Sequence, residues 1–157
     1  MINSELYRPC VGILIYKKNH GFWAGKRLDQ FKNSWQLPQG GIDEGEMAND
    51  AMARELYEET NITSFKVIDK IDNWLYYDLP KDLVKNFWNG QYIGQKQQWY
   101  LLEFIGDDSE INIKTKIAEF SDWGWYKTDF ILKNIVDFKL NIYQEIFNKW
   151  PEKLIYQ

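Results

Sequence analysis

The sequence is poor in cysteine and contains no long apolar run. Cys10 is the only cysteine, which excludes a disulfide within the chain and indicates a reducing compartment. No segment approaches the roughly 18 consecutive apolar residues of a membrane-spanning helix. The first ten residues, MINSELYRPC, lack the apolar stretch of a signal peptide. We therefore expect a cytoplasmic protein without a membrane partner.

The sequence has no excess of positive charge, and histidine is scarce. The formal net charge of the 157 residues is −4, which argues against a protein that coats DNA or RNA by neutralising many phosphates. Recognition of a single polyphosphate end is compatible with this charge, and we expect no DNA partner. His20 is the sole histidine and stands in the turn-like segment KKNHG. Any acid–base chemistry therefore has to rest on carboxylates and metal.

Apolar side chains are plentiful, at 45% of the sequence with 17% aromatic. The length indicates a single domain over residues 1–157. Apolar patterns and flanking turns predict strands at 10–16, 22–27, 64–71, 73–79, 97–105 and 122–127, and a short strand that runs into a loop within 34–46. Helices are predicted at about 47–60, 129–134 and 138–149, and residues 80–95 are predicted to be mostly loop. This order suggests a mixed sheet covered by helices.

The segment ARELYEET, residues 53–60, is unusual for a helix. Glu58 and Glu59 follow Glu55 by three and four positions, so a helix places the three carboxylates on one face. Each such like-charged pair costs about 0.2–0.5 kcal/mol, and the helix dipole disfavours negative charge near the C-terminal end. The face is either simply solvated or occupied by cations.

The other side of this helix is expected to pack on the sheet. It carries Ala53, Leu56, Tyr57 and Thr60, whereas small residues precede the carboxylates on the acidic side. Asn61 follows the helix and is predicted to adopt the left-handed conformation in which many helices end.

A larger pattern contains these glutamates. Gly40 is followed by five residues and Glu46, and then by seven residues and the run RELYEETNI at 54–62. This pattern resembles the Nudix box, G-x5-E-x7-R-E-U-x-E-E-x-G-U with U aliphatic, and departs from it only at Asn61, where the box has glycine. The resemblance implies an α/β fold, the Nudix α/β/α sandwich with a mixed β-sheet, in which the box forms a loop–helix–loop.

The resemblance also implies metal-dependent hydrolysis of a phosphoanhydride. The three box glutamates that would bind Mg²⁺ are Glu55, Glu58 and Glu59. Mn²⁺ or another divalent cation is an alternative, since hard cations share a preference for carboxylate oxygens. The Gly40 carbonyl is a further candidate ligand, and Glu46 with Arg54 would form a supporting ion pair. Bound cations would replace the repulsion among the carboxylates by coordination.

Four other stretches narrow the substrate. YRP (7–9), SWQLPQGG (34–41), YIGQKQQWYLLEF (92–104) and EFSDWGWY (119–126) resemble those of bacterial RNA pyrophosphohydrolases, a group that overlaps with dinucleoside polyphosphate hydrolases called invasion-associated proteins. The likeness covers about residues 5–150. It implies hydrolysis of the 5′-triphosphate end of RNA, which releases pyrophosphate, leaves 5′-monophosphate RNA and promotes RNA decay.

The same resemblance selects candidate site residues outside the box. Candidates for contacts to phosphates or to the first nucleotides are Arg8, Arg27, Ser34, Gln95, Lys96, Val136, Phe138 and Lys139. The alternative for Lys139 is an ordinary surface charge, and the alternative for Phe138 is packing in the core beneath a helix. Glu119, in an otherwise aromatic stretch, would be a metal ligand or the general base, with an exposed loop residue as the alternative.

Two other functions fit parts of the pattern. Hydrolysis of diadenosine tetra- or pentaphosphate with release of ATP would use the same carboxylates, because that substrate also presents a polyphosphate and a base. A third possibility, which is not an enzyme, is a regulator that binds nucleotides without hydrolysing them. Such a protein would be expected to lack some of the metal-binding carboxylates. All three box glutamates are present, which favours an enzyme. We expect a monomer.

Overall fold

An eight-stranded mixed sheet forms the middle layer of the structure, a computed structural model that describes residues 2–156. Its strands are β1 (Tyr7–Lys17), β2 (Gly21–Arg27), β3 (Trp35–Gln36), β4 (Gln39–Gly41), β5 (Phe65–Lys70), β6 (Leu75–Asp78), β7 (Gly94–Phe104) and β8 (Phe120–Tyr126). Its helices are α1 (Ala48–Thr60), α2 (Thr128–Asn134) and α3 (Leu140–Lys149). Among these residues, no helix combines the length and the apolar character needed to cross a bilayer.

The sheet is built around the parallel pairing of β1 with β7. The strand order is β3-β2-β1-β7-β5, while β4 pairs with β1, β6 with β7 and β8 with β2, each antiparallel. In the parallel register Arg8 lies opposite Gln95 and Tyr16 lies opposite Glu103. This long-range pairing brings the beginning of the chain beside residues almost ninety positions later.

Helices cover both faces of the sheet. Successive side chains of a strand point to opposite faces, so Ile13 and Ile15 of β1 pack in the cluster with Leu56 of α1. Leu14 of β1 packs on the other face, in the cluster that contains Ile146 of α3. The predicted α/β/α sandwich with a mixed sheet is therefore confirmed.

Most predicted elements are present, with local corrections. Residues 39–41 were expected within a loop, but they form β4, because Gly40 and Gly41 pair with Val11 and Cys10 of β1. Strand β7 begins earlier than expected, at Gly94. Helix α3 begins later, at Leu140, since a 3₁₀ turn at Asp137–Lys139 precedes it. Residues 80–95 contain two further 3₁₀ turns, at Val84–Asn86 and Trp88–Gly90.

The buried face of α1 differs from the predicted one. The residues of this helix that the sheet covers are Ala51, Met52, Leu56, Glu59 and Thr60. Tyr57 was expected to pack on the sheet, yet it is 52% exposed. The helix is rotated so that the sheet covers Glu59 as well as the apolar side chains. Asn61 has φ 64° and donates its N–H to the Tyr57 carbonyl, which confirms the predicted helix end.

Candidate active site

The box glutamates and Glu119 line one cavity beside the C-terminal half of α1. We call it the helix-end cavity; its volume is about 470 Å³, and its lining is Glu55, Tyr57, Glu58, Glu59, Asn61, Thr115, Lys116, Ile117 and Glu119. The helix supplies the first four of these residues and its C-cap supplies Asn61, while the segment before β8 supplies the rest. The tertiary structure thus joins Glu119 to carboxylates sixty positions away.

Arg54 holds the acidic side of the helix in place. Its Nε and Nη2 donate to the Glu46 carboxylate at 2.8 and 2.9 Å, and Nη2 also donates to the Gly41 carbonyl. Its Nη1 donates to Glu55 at 2.9 Å and to Glu58 at 3.2 Å. These hydrogen bonds lower the pKa of Glu46 to about 2. The expected pairing of Glu46 with Arg54 is therefore present, and it extends to two of the box glutamates.

Gly40 allows the backbone of β4 to approach Glu55. A β-carbon at this position would overlap the Glu55 carboxylate, so any larger residue would displace that side chain. The half-buried Glu55 carboxyl has a raised pKa because burial disfavours its charge, although Arg54 acts in the opposite direction. Glycine at this position therefore leaves the space that the Glu55 carboxylate occupies against β4.

Glu59 is a buried carboxylate to which no cationic side chain within residues 2–156 donates a hydrogen bond. It is 6% exposed, and its Oε1 accepts the Gln39 N–H at 3.2 Å. Burial raises its pKa well above the usual value, and the charges of Glu119 and Glu55 raise it further. A buried carboxylate near two others is unfavourable unless a cation compensates its charge.

These observations test whether the residues fit a divalent cation. Within residues 2–156, no three acidic, histidine or cysteine side chains form a preassembled metal centre, and Arg54 forms ion pairs with Glu55 and Glu58. The donor chemistry nevertheless fits, because the ligand atoms that the cavity wall offers are hard oxygens and burial disfavours the charged form of Glu59 unless a cation compensates it. A hard divalent cation suits this set better than a soft metal.

A second cavity adjoins Glu119 on the α3 side of the sheet. We call it the basic cavity, with a volume of about 280 Å³; its lining is Arg8, Arg27, Phe31, Gln39, Tyr77, Leu79, Phe87, Trp88, Gln95, Glu119, Phe138 and Lys139. Glu119 therefore lines both cavities. Although its side chain reaches solvent, the surrounding walls reduce hydration of the carboxyl group and raise its pKa, against the influence of Arg27.

Aromatic rings hold two of the cations in the basic cavity. The Arg8 guanidinium lies over the Trp88 ring at 5.5 Å, and that of Arg27 lies over Phe31 at 4.7 Å. Trp88 has φ 50°, a left-handed conformation that is rare for so large a residue. Phe138 also contacts Phe31, with 5.7 Å between the ring centroids. The cavity thus combines positive charge with aromatic surface.

Lys139 is the third cation and is buried, not a surface charge. Its Nζ donates to the side-chain oxygens of Gln36 at 2.7 Å and Gln39 at 3.2 Å. Burial lowers the pKa of its ammonium group to about 7, and Arg27 lowers it as well. Gln39 therefore contacts Lys139 through its side chain and Glu59 through its backbone N–H.

Replacing Lys139 with methionine should change how stability depends on pH. Between about pH 7 and pH 10, Lys139 binds a proton in the unfolded state but not in the folded state. The free energy of unfolding of the wild type therefore rises with pH, by up to about 1.4 kcal/mol per pH unit relative to the variant. Denaturant unfolding of both proteins across this range measures the difference. Lys133→Met, at an exposed position of α2, is the control, and parallel curves for Lys139→Met would contradict the expectation.

Three candidate residues lie outside the basic cavity. Lys96 points to the other face of the sheet from its neighbour Gln95, and its Nζ donates to Ser4 at 2.6 Å. The Ser34 hydroxyl donates to the Phe31 carbonyl, and Val136 packs against the α3-side core. Their proposed substrate contacts gain no support from this arrangement, because strand alternation and local hydrogen bonds direct these side chains elsewhere.

Several lining residues were not predicted from the sequence. They are Phe31, Gln39, Tyr77, Leu79, Phe87 and Trp88. Only the stretch FWNG at 87–90 carried a local signal, since Asn and Gly favour a turn that exposes neighbouring rings. The others come from separate strands and loops, and no local pattern relates them.

Comparisons with known proteins agree with this geometry. Residues 6–146 match the NUDIX domain. The chain is 44% identical over 147 residues to the RNA pyrophosphohydrolase of Pelagibacter ubique (strain HTCC1062), which covers 94% of this chain and 93% of the relative. This confirms the resemblance predicted from the box.

Solved structures share the fold at lower identity. The E. coli dihydroneopterin triphosphate pyrophosphohydrolase superposes with a TM-score of 0.68 at 19% identity, covering 90% of this chain and 97% of that one. A C. elegans Ap4A hydrolase binary complex gives 0.67 at 19% identity, covering 90% and 96%. The family match spans most of the sequence, and the chain therefore belongs to the NUDIX domain family.

Proposed function

We propose that this protein hydrolyses the 5′-triphosphate end of RNA, releasing pyrophosphate and leaving 5′-monophosphate RNA. The observation that carries the proposal is that Glu119 borders both the carboxylate-lined cavity and the basic, aromatic one. A polyphosphate at the carboxylates therefore has a site for its nucleoside end directly beside it. The name of the Pelagibacter ubique relative, RNA pyrophosphohydrolase, supports the same assignment.

The proposed metal ligands are the carboxylates Glu55, Glu58, Glu59 and Glu119 and the Gly40 carbonyl. When bound, Mg²⁺ or Mn²⁺ would polarise phosphoryl oxygens and lower the pKa of water. Arg54 orients the ligand face through its hydrogen bonds to Glu46, Glu55 and Glu58. The chain itself thus supplies the oxygen donors and fixes their directions.

Side chains that line the basic cavity are proposed to bind the phosphates and the base and to accept a proton. Arg8 and Arg27 would neutralise phosphate charge, since a guanidinium donates several hydrogen bonds to phosphate oxygens. Glu119 would accept the proton of the attacking water, and its raised pKa suits that role. Phe138 and Tyr77, with ring centroids 5.7 Å apart, would contact a base, and Gln95 and Lys139 would contact the first nucleotides.

Removing the Phe138 ring should weaken RNA binding. An aromatic stack on a base contributes about 1–3 kcal/mol, so Phe138→Ala is expected to lower kcat/KM for triphosphorylated RNA accordingly. Diadenosine tetraphosphate has no nucleotide joined 3′ to its first, and we expect it to lose less. Phe130→Ala, which truncates another half-buried ring outside the basic cavity, is the control.

The result also separates a binding role from a packing role. Thermal melts of both variants report the packing contribution, because Phe138 also packs against the α3-side core. A large drop in Tm for Phe138→Ala would favour the packing role. Equal losses on both substrates without unfolding would remove the RNA-specific role.

Hydrolysis of dinucleoside polyphosphates is the second candidate function. The observation that favours it is the pair of cavities on the two sides of Glu119, which offers space at both ends of a polyphosphate. A non-catalytic regulator is disfavoured, because all four predicted carboxylates line one cavity.

One assay tests all three functions. Triphosphorylated RNA and diadenosine tetraphosphate are incubated with the protein side by side, with and without Mg²⁺, and the products are identified. Mg²⁺-dependent pyrophosphate and 5′-monophosphate RNA are the expected products. Turnover of the tetraphosphate alone would favour the second function, and binding without turnover of either substrate would favour the regulator.

A further inference from the structure

The outer wall of the helix-end cavity is apolar, although its floor is acidic. Tyr57 is 52% exposed and Ile117 is 79% exposed, and both line the cavity beside Glu58. Tyr57 lies outside the face by which α1 packs on the sheet, so core packing does not require its ring. Ligand binding would remove these two apolar side chains from water, which is favourable.

The cavity is large enough for one end of a nucleotide substrate. Its volume of about 470 Å³ lies within the range of about 300–1,000 Å³ typical of small-molecule sites. Lys116 also lines it and, among the residues the structure describes, makes no ion pair. The cavity therefore offers a flat aromatic ring, an aliphatic side chain and a free cation next to the carboxylates.

We propose that the helix-end cavity binds the second nucleoside of a dinucleoside polyphosphate, with its base against Tyr57 and Ile117 and its adjoining phosphate near Lys116. The inference rests on the proposed hydrolysis of a polyphosphate at the carboxylates. Glu119 lines both cavities, so a polyphosphate that crosses the carboxylate face directs its first nucleoside into the basic cavity and its other end into this one.

The two substrate classes differ at their distal ends. The leaving group of triphosphorylated RNA is pyrophosphate, which carries no base and cannot stack on Tyr57. A dinucleoside tetraphosphate ends in a second base, which can use both apolar side chains. The wall formed by Tyr57 and Ile117 is therefore a specificity determinant for the dinucleotide.

The double variant Tyr57→Ala/Ile117→Ser tests the assignment. The ratio of kcat/KM for diadenosine tetraphosphate to that for triphosphorylated RNA should fall by about 5- to 160-fold, the range expected for loss of a base stack. A second readout does not depend on turnover: calorimetry should show a similar loss of affinity for a methylene-bridged, non-hydrolysable diadenosine tetraphosphate. Ile105→Ser, at a 55% exposed apolar position outside both cavities, should leave both quantities unchanged.

The outcomes separate this inference from the proposed function. An unchanged affinity for the non-hydrolysable analogue would overturn the site, whatever the activities are. Absence of RNA hydrolysis in the wild type would overturn the proposed function, while a loss of analogue affinity in the double variant would still support the site. Ile117 lies in a loop, so the single variant Ile117→Ser provides the same comparison if Tyr57→Ala in α1 impairs folding.

Discussion

Replacing Glu59 with glutamine is expected to lower kcat by about a thousandfold. A cation contributes several kcal/mol of transition-state stabilisation, and a loss of about 4 kcal/mol corresponds to about 10³ in rate. Glutamine keeps the shape of the side chain and an oxygen that can accept the Gln39 N–H, but it removes the charge. Steady-state kinetics with Mg²⁺ measure the effect, and a near-normal kcat would contradict the role of Glu59 as a ligand.

The same substitution should stabilise the metal-free protein at neutral pH. The pKa of Glu59 is raised in the folded state, so above the unfolded pKa of about 4.3 the native state binds more protons and loses stability as pH rises. Glutamine carries no such penalty. Each kcal/mol gained would raise Tm by about 2–4 °C in a chain of this size, and melts in a chelator at pH 5 and pH 8 measure the difference.

A matched substitution separates charge removal in the core from charge removal at the surface. Glu145 is exposed on α3 and lies outside both cavities, so Glu145→Gln should change neither kcat nor the pH dependence of Tm. A Glu59→Gln protein that melts lower than the wild type at both pH values would show that its carboxylate stabilises the fold.

Replacing Glu119 with alanine is expected to lower kcat by about 10²- to 10⁴-fold, the usual contribution of a general base. KM should change much less, because a base acts mainly in the transition state. Protonation of this carboxyl at low pH should appear as the acidic limb of the pH–rate profile, and the variant should lose that limb. Kinetics from pH 5 to pH 9 on triphosphorylated RNA measure both effects.

The control for Glu119 lies three residues further along the chain, in β8. Asp122 is an exposed acid of β8 and lines neither cavity, so Asp122→Ala should retain normal kcat and the acidic limb. If Glu119→Ala raised KM without lowering kcat, the residue would belong to substrate binding, and the proton acceptor would have to be sought elsewhere.

The local parts of the site followed from the sequence alone. The spacing of Glu55, Glu58 and Glu59 fixes their shared helix side, because helical geometry repeats every 3.6 residues. The left-handed exit at Asn61 followed from the conformational range of asparagine. The hairpin of β1 and β2 and the three helices followed from the short-range patterns of apolar and turn residues, since each depends mainly on neighbouring positions.

Only the tertiary structure decided which side chains are buried and which of them meet. Glu59 and Lys139 are buried charges that a sequence pattern assigns to the surface, and the packing of α1 and α3 on the sheet covers both. The parallel pairing of β1 with β7 places Arg8 beside Gln95. Glu119, in the segment just before β8, meets the box glutamates at the wall of one cavity. Such contacts depend on long-range strand pairing and helix rotation, which no local periodicity specifies.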